Sequence, residues 1–155
     1  MKENGELPGG QVPIYIDEKG RVFNQTGAVL IMLGKQNGYY PKDAYAAYED
    51  DWAISNFGDI WTREFYTLWF KDEIDDDLIS GACDKFEPWN QVVEAKLNTL
   101  GNFIGGEKPS IGDFITFSVY ANFILNQDTK VANLRNALRA EMASTPNVQA
   151  WVKRM

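Results

Sequence analysis

The sequence predicts a mainly α protein with a small α/β piece at its N-terminal end. Three observations lead there. Two short β-rich runs, Pro13-Ile14-Tyr15-Ile16 and Arg21-Val22-Phe23, flank the turn-forming Asp17-Glu18-Lys19-Gly20, which is the pattern of a hairpin. The apolar run 28–33 follows capping-type side chains at 24–26, as a helix start requires. Beyond Asp43 the large apolar residues recur mostly at three- and four-residue spacing, the period of amphipathic helices.

The elements follow in order. Gly20 supplies the positive φ that a tight hairpin turn needs. The first helix carries Ala28, Val29, Leu30, Ile31, Met32 and Leu33 and ends within 34–38. Tyr39-Tyr40-Pro41-Lys42-Asp43 is a connector, since Pro41 stops simple continuation of the helix. Tyr45, Tyr48, Trp52, Phe57, Ile60, Trp61, Phe65, Leu68 and Trp69 predict one long helix bent near Gly58. The acidic stretch 73–77 breaks it. Trp89, Val92, Val93, Leu97 and Leu100 make the next helix, with Pro88 in its first turn. After a loop at Gly105-Gly106, Ser110-Ile111-Gly112-Asp113 opens a helix that is apolar on nearly all faces and therefore central. Shorter helices are expected over 131–142 and 148–152. The organisation is a partial α/β unit, 1–40, followed by an all-helical unit, 43–155.

Composition removes several classes of function. Hydrophobic residues are 45% and aromatics 14%, enough for a packed core and against disorder. The formal net charge is −7, from 15 Lys plus Arg against 22 Asp plus Glu, and no basic stripe stands out. Nucleic acid and anionic membranes are therefore not expected partners. The chain has no His, the residue most used for proton transfer at neutral pH and for metal ligation. Cys83 is the single cysteine, so no internal disulfide or Cys-rich zinc site is expected. It reads as a buried or idle thiol, because no His exists to activate it. Neither a metal nor a resident cofactor is expected. Residues 1–10 are polar, unlike a secretory signal, and the apolar runs 28–33 and 114–125 fall short of a membrane span. The expected setting is cytoplasmic or another reducing intracellular compartment.

Four constellations bear on chemistry. An X-Pro bond entering a strand, as at Val12-Pro13, is an ordinary strand-start proline in most cases. In the cis form it turns the Val12 main chain outward toward a peptide-like ligand. Gln25 and Thr26 stand where a strand hands over to a helix. There a hydroxyl and free N–H groups make an anion site, although capping by Asn24 or Thr26 explains them equally well in isolation. Ser110-x-x-Asp113 matches a capping box with Asp in place of Glu or Gln, so Asp113 reads as structural. The acids at 72–77 lack the glycine and terminal glutamate of a calcium loop and read as a solvated helix end.

The order of these pieces resembles the glutathione S-transferases, in particular the sigma, alpha, pi and mu-like cytosolic kind. The likeness runs through Gly10-Gln11-Val12-Pro13, the hairpin, Asn24-Gln25-Thr26-Gly27-Ala28, Leu33-Gly34 and Gly38-Tyr39-Tyr40. It continues through Pro109-Ser110-Ile111-Gly112-Asp113-Phe114 and Pro146-Asn147-Val148-Gln149-Ala150-Trp151, covering about residues 7–155. The resemblance implies a thioredoxin-like unit followed by an all-helical domain. It assigns Val12, beside a cis Pro13, to the cysteinyl backbone of glutathione, and Gln25 and Thr26 to its γ-glutamyl end. Glutathione is then a ligand or substrate rather than a cofactor.

The departures from that pattern shape the functional expectation. Family members carry a strand, helix and strand before the Val-Pro, with the catalytic Tyr, Ser or Cys after the first strand. Only twelve residues precede Pro13 here, too few for a parallel crossover. No residue maps to the catalytic one, and Ser55 falls where an acid is often supplied by a partner subunit. The expectation is a truncated, non-catalytic protein acting as a structural or interaction subunit. A protein partner, or a second copy, would pair with the open edge at Ile14-Tyr15-Ile16. The alternative is a transferase conjugating glutathione to electrophiles, with its front segment supplied elsewhere.

Overall fold

In the computed structural model, residues 7, 10, 12–61, 65–128 and 131–155 are described. Gly9 and Gln11 of the opening motif, and most of the polar stretch 1–10, lie outside the described residues.

The hairpin forms as expected. Strand β1 (Tyr15–Ile16) pairs antiparallel with β2 (Val22–Phe23), Tyr15 opposite Phe23 and Ile16 opposite Val22. Asp17 organises the turn: its carboxylate accepts from the N–H of Lys19 and Arg21 at 3.0 and 2.9 Å, and Gly20 takes φ 74°. Helix α1 (Thr26–Asn37) continues through Gly34 and stops at Gly38, a left-handed cap with φ 78°. Gly34 is buried because Ile111 lies against it, with a methyl 2.5 Å from where a Cβ would stand. The Ile111 N–H also donates to the Tyr39 carbonyl at 3.0 Å, which ties the end of α1 to the central helix.

Helix α2 (Ala44–Ile60) is capped by Asp43, whose side chain accepts from the N–H of Tyr45 and Ala46. The long helix expected over 45–69 is described as α2 and a short α3 (Tyr66–Trp69), and residues 62–64 lie outside the described set. Helix α4 (Asp76–Leu100) differs from expectation. It begins at Asp76, thirteen residues before Trp89, and Pro88 sits in its interior rather than in its first turn. The acids that end the preceding segment also start this one: Asp75 accepts from the Leu78 N–H at 2.9 Å, and Asp76 and Asp77 complement the helix dipole. Ala82, Phe86, Trp89, Val93 and Leu97 then form one buried stripe across the proline, and that stripe holds the helix together through Pro88.

Helix α5 (Ile111–Tyr120) runs on into a π-helical segment (Ala121–Leu125) and is central, as its composition predicts. The capping box is formed. The Asp113 carboxylate accepts from the N–H of Ile104, Gly105 and Ser110 at 2.8, 3.0 and 2.9 Å and from the Trp151 indole at 2.8 Å. Helices α6 (Ala132–Glu141) and α7 (Pro146–Arg154) close the bundle, joined by a 3₁₀ turn (Met142–Ser144). Glu94 of α4 receives the N–H of Asn147 and Val148 at the start of α7. A buried polar chain crosses the aromatic core: the Tyr120 hydroxyl donates to Asn90 Oδ1 at 2.8 Å, and Asn90 Nδ2 donates to Thr145 Oγ1 at 3.0 Å. Around it pack Phe65, Phe86, Trp89, Phe123 and Trp151. This core draws its buried side chains from residues 53–151. Between 12 and 40 the apolar residues are half-buried or exposed, with Ile16 at 57% and Val22 at 43%.

Candidate ligand-binding cleft

The two parts of the chain meet along a cleft of about 920 Å³. Its floor is Val12, Pro13, Gln25, Thr26 and Gly27, with Leu7 and Gly10 beside them. Its opposite wall is Ile54, Phe57 and Gly58 of α2, followed by Trp61, Tyr66 and Ile115. The four residues singled out in the sequence thus share one surface. A smaller hollow of about 50 Å³ is lined by Val12, Pro13, Asn24, Gln25 and Thr26.

Local structure explains the floor. The Val12-Pro13 peptide bond is cis, and the Val12 side chain is 75% exposed. Gln25 occupies the N-cap position of α1 with φ 68° and ψ 105°, and its side chain makes no capping bond. This φ lies in the left-handed region that non-glycine residues seldom adopt. Thr26 is the first helical residue and is exposed. Capping by Thr26 is therefore not what the structure contains: Thr26 lies inside the helix start and is one of the residues that line the cleft. The first turn of α1 holds no acidic residue, so its N–H groups and positive dipole end remain suited to a carboxylate.

The wall is apolar and aromatic. Phe57 stacks on Trp61 at 5.7 Å between ring centres with planes 16° apart, and Tyr66 packs edge-on against Phe70 at 5.1 Å. Phe57 and Trp61, which the sequence shows only as part of the apolar pattern of a long helix, line the cleft. Tyr66, Ile54, Gly58 and Ile115 were not singled out as site residues. For Tyr66 a signal existed, since it is a polar-tipped aromatic off the Phe65 and Leu68 core face. Gly58 reads in the sequence only as the place of a helix bend. Among the described residues no cluster of three or more acidic, His or Cys side chains has the geometry to hold a metal ion. Cys83 lies outside the cleft lining, and burial, helped by the nearby Glu141 and Asp84 carboxylates, pushes its thiol pKa up. A thiol so placed is a poor nucleophile.

No helix among the described residues is long and apolar enough to cross a membrane. No protein-family model matches the sequence, and no curated protein matches it. Solved structures do resemble the chain. A glutathione S-transferase-like protein from Lodderomyces elongisporus superposes with a TM-score of 0.71 at 21% identity, over 95% of this chain and 69% of its own. Prostaglandin synthase D of Nilaparvata lugens gives 0.66 at 21% identity, over 99% and 77%. A sphingomonad glutathione S-transferase, solved in complex with glutathione, gives 0.59 at 21% identity, over 95% and 75%. A fold shared at this identity does not carry an activity with it. What these likenesses establish is architecture, and this chain has the glutathione S-transferase fold.

Proposed function

We propose that this chain is a glutathione S-transferase-like interaction subunit that keeps a glutathione-type site but supplies no thiol-activating residue of its own. In this reading residues 1–40 are the partial thioredoxin-like unit and 43–155 the helical domain. The Val12 main chain receives the peptide backbone of the ligand, and Gln25 and Thr26 hold its amino-acid end at the helix N-terminus. One observation carries the interaction role. The β1, β2 and α1 piece adds no fully buried apolar side chain to the core, against which Leu30 packs only partly buried, while Ile16 and Val22 are exposed on a two-stranded sheet. Such an edge is a template for another strand, supplied by a protein partner or a second copy. The setting proposed is a reducing intracellular compartment.

A second reading is favoured by the gathering of Val12, Gln25, Thr26 and Tyr66 on one aromatic-walled cleft. There the chain conjugates glutathione to electrophiles, with the activating group supplied by another segment. Calorimetric titration with glutathione tests the site, with Thr26→Val expected to weaken binding about tenfold, the worth of one hydrogen bond to a charged group. Failure of the parent chain to bind at millimolar glutathione would remove the site. Turnover of a generic aryl halide only once a segment bearing the activating group is added would replace the first reading with the second, and turnover by the isolated chain would remove both.

A further inference from the structure

Asp50, on the inner face of α2, is a titratable group that the cleft does not use. It is fully buried. Its Oδ1 accepts from the Ser110 hydroxyl and from the Gly112 N–H at 3.2 Å, and its Oδ2 is buried without a hydrogen-bond partner. The same Ser110 hydroxyl lies 3.2 Å from Asp113 Oδ2. Two acids of different helices therefore face each other across one hydroxyl, which has a single proton to give.

With Asp50 protonated, each of the two contacts between Ser110 and a carboxyl group has a proton of its own. A proton on Asp50 Oδ1 is donated to Ser110 Oγ, and the Ser110 proton goes on to Asp113 Oδ2. That carboxylate already gathers the N–H groups of Ile104, Gly105 and Ser110 and the Trp151 indole. Asp50 Oδ2 is then a neutral carbonyl oxygen, far cheaper to bury unpaired than half of a charge. With Asp50 ionised, one hydroxyl proton serves two carboxylates and an orphaned charged oxygen remains.

The surroundings offer no relief. The largest charge effects on Asp50 come from Asp113 of α5 and Asp51 of its own helix, both acidic. From the connector, Tyr40 approaches the same region, its hydroxyl 3.1 Å from both oxygens of Asp51. Burial foremost, then these two acids, lifts the Asp50 carboxyl to about 6 against the bonds from Ser110 and Gly112 that pull it down. Glycine at 112 is what admits Asp50 so closely, since a Cβ there would stand 2.6 Å from Asp50 Oδ1.

We propose that Asp50 is a pH-responsive latch that fastens α2 to the start of α5 when protonated and loosens it when ionised. The two helices it joins are both walls of the cleft: Ile54 lies one turn after Asp50, and Ile115 two residues after Asp113. The latch thus firms the cleft wall in mildly acidic solution, whatever the cleft binds.

The test uses the full chain labelled for carboxyl and amide NMR. The Asp50 carboxyl is expected to titrate near 6, and exchange protection of the Gly112 amide to fall about tenfold from pH 5 to 7.5, after correction for intrinsic rates. In Asp50→Asn that protection becomes independent of pH, while Asp51→Asn keeps a pH-dependent profile whose midpoint moves slightly down. An Asp50 midpoint near the ordinary value of about 4, or an Asp50→Asn profile that still changes with pH, overturns the latch. Should Asp50→Asn fail to fold, the parental carboxyl titration decides alone.

Discussion

Gln25 spends backbone energy to stand where it does. A non-glycine residue at φ 68° costs on the order of 1–3 kcal/mol, and no capping bond from its own side chain offsets that cost. Gln25→Gly is expected to raise unfolding stability by about 1 kcal/mol, the strain relief less the entropy glycine adds to the unfolded chain. Glutathione affinity should fall in the same variant, because the amide is gone. Urea titration and calorimetry read the two effects separately, and a variant with unchanged stability would show that the strain is not there. The identity of this residue was legible in the sequence from the strand-to-helix hand-over at Asn24-Gln25-Thr26. Its strain was not, because φ at a junction is set by how the hairpin docks and not by local propensity. Asp113 is the opposite case. Its capping role follows from Ser110-x-x-Asp113 alone, whereas the indole of Trp151, thirty-eight positions away, is a tertiary contact that no local pattern encodes.

At the scale of elements, α4 is where local rules and packing disagree most. Pro88 removes an N–H and crowds the preceding turn, so sequence reading places it at a helix start. The structure carries it in the interior of a 25-residue helix because Ala82, Phe86, Trp89 and Val93 keep the buried stripe in phase on both sides of it. Burial of those side chains, at about 1.5–3 kcal/mol for each large one, outweighs a proline penalty of about 3 kcal/mol. Pro88 itself is exposed, so Pro88→Ala creates no cavity. It should stabilise the protein by about 1–3 kcal/mol, seen as a higher denaturation midpoint with an unchanged slope. A destabilised variant would mean that a proline-made bend is needed to seat Trp89 against Tyr120, whose rings lie 5.5 Å apart. Helices α5 and α7 were legible because their apolar residues and their starts at Ser110 and Pro146 agree.

For the molecule as a whole, the helical bundle carries the core while the hairpin and α1 are attached to it by a few contacts. These are Gly34 on Ile111, Gly27 against Ile54, and the Tyr39 ring edge-on to Phe114 at 5.3 Å. This two-part character was legible from the change of period after Asp43, but the cleft between the parts was not, since it depends on how α2 lies across the floor. The exposed sheet yields a molecular-scale prediction. Ile16→Lys with Val22→Lys should lower stability by no more than about 1 kcal/mol, the cost of two lysines set opposite each other across an exposed strand pair. The same pair should abolish any self-association through the edge, measured by light scattering on a sizing column. Association that survives both lysines would direct attention to a different face. Asn90 has a consequence of another kind. Its amide, set in a dry ring of aromatics, joins Tyr120 on one side and Thr145 on the other. Slide α4 by a single turn and three polar atoms are stranded in oil. The amide works as an index pin, and a long rod that greasy neighbours would accept at several settings is left with one.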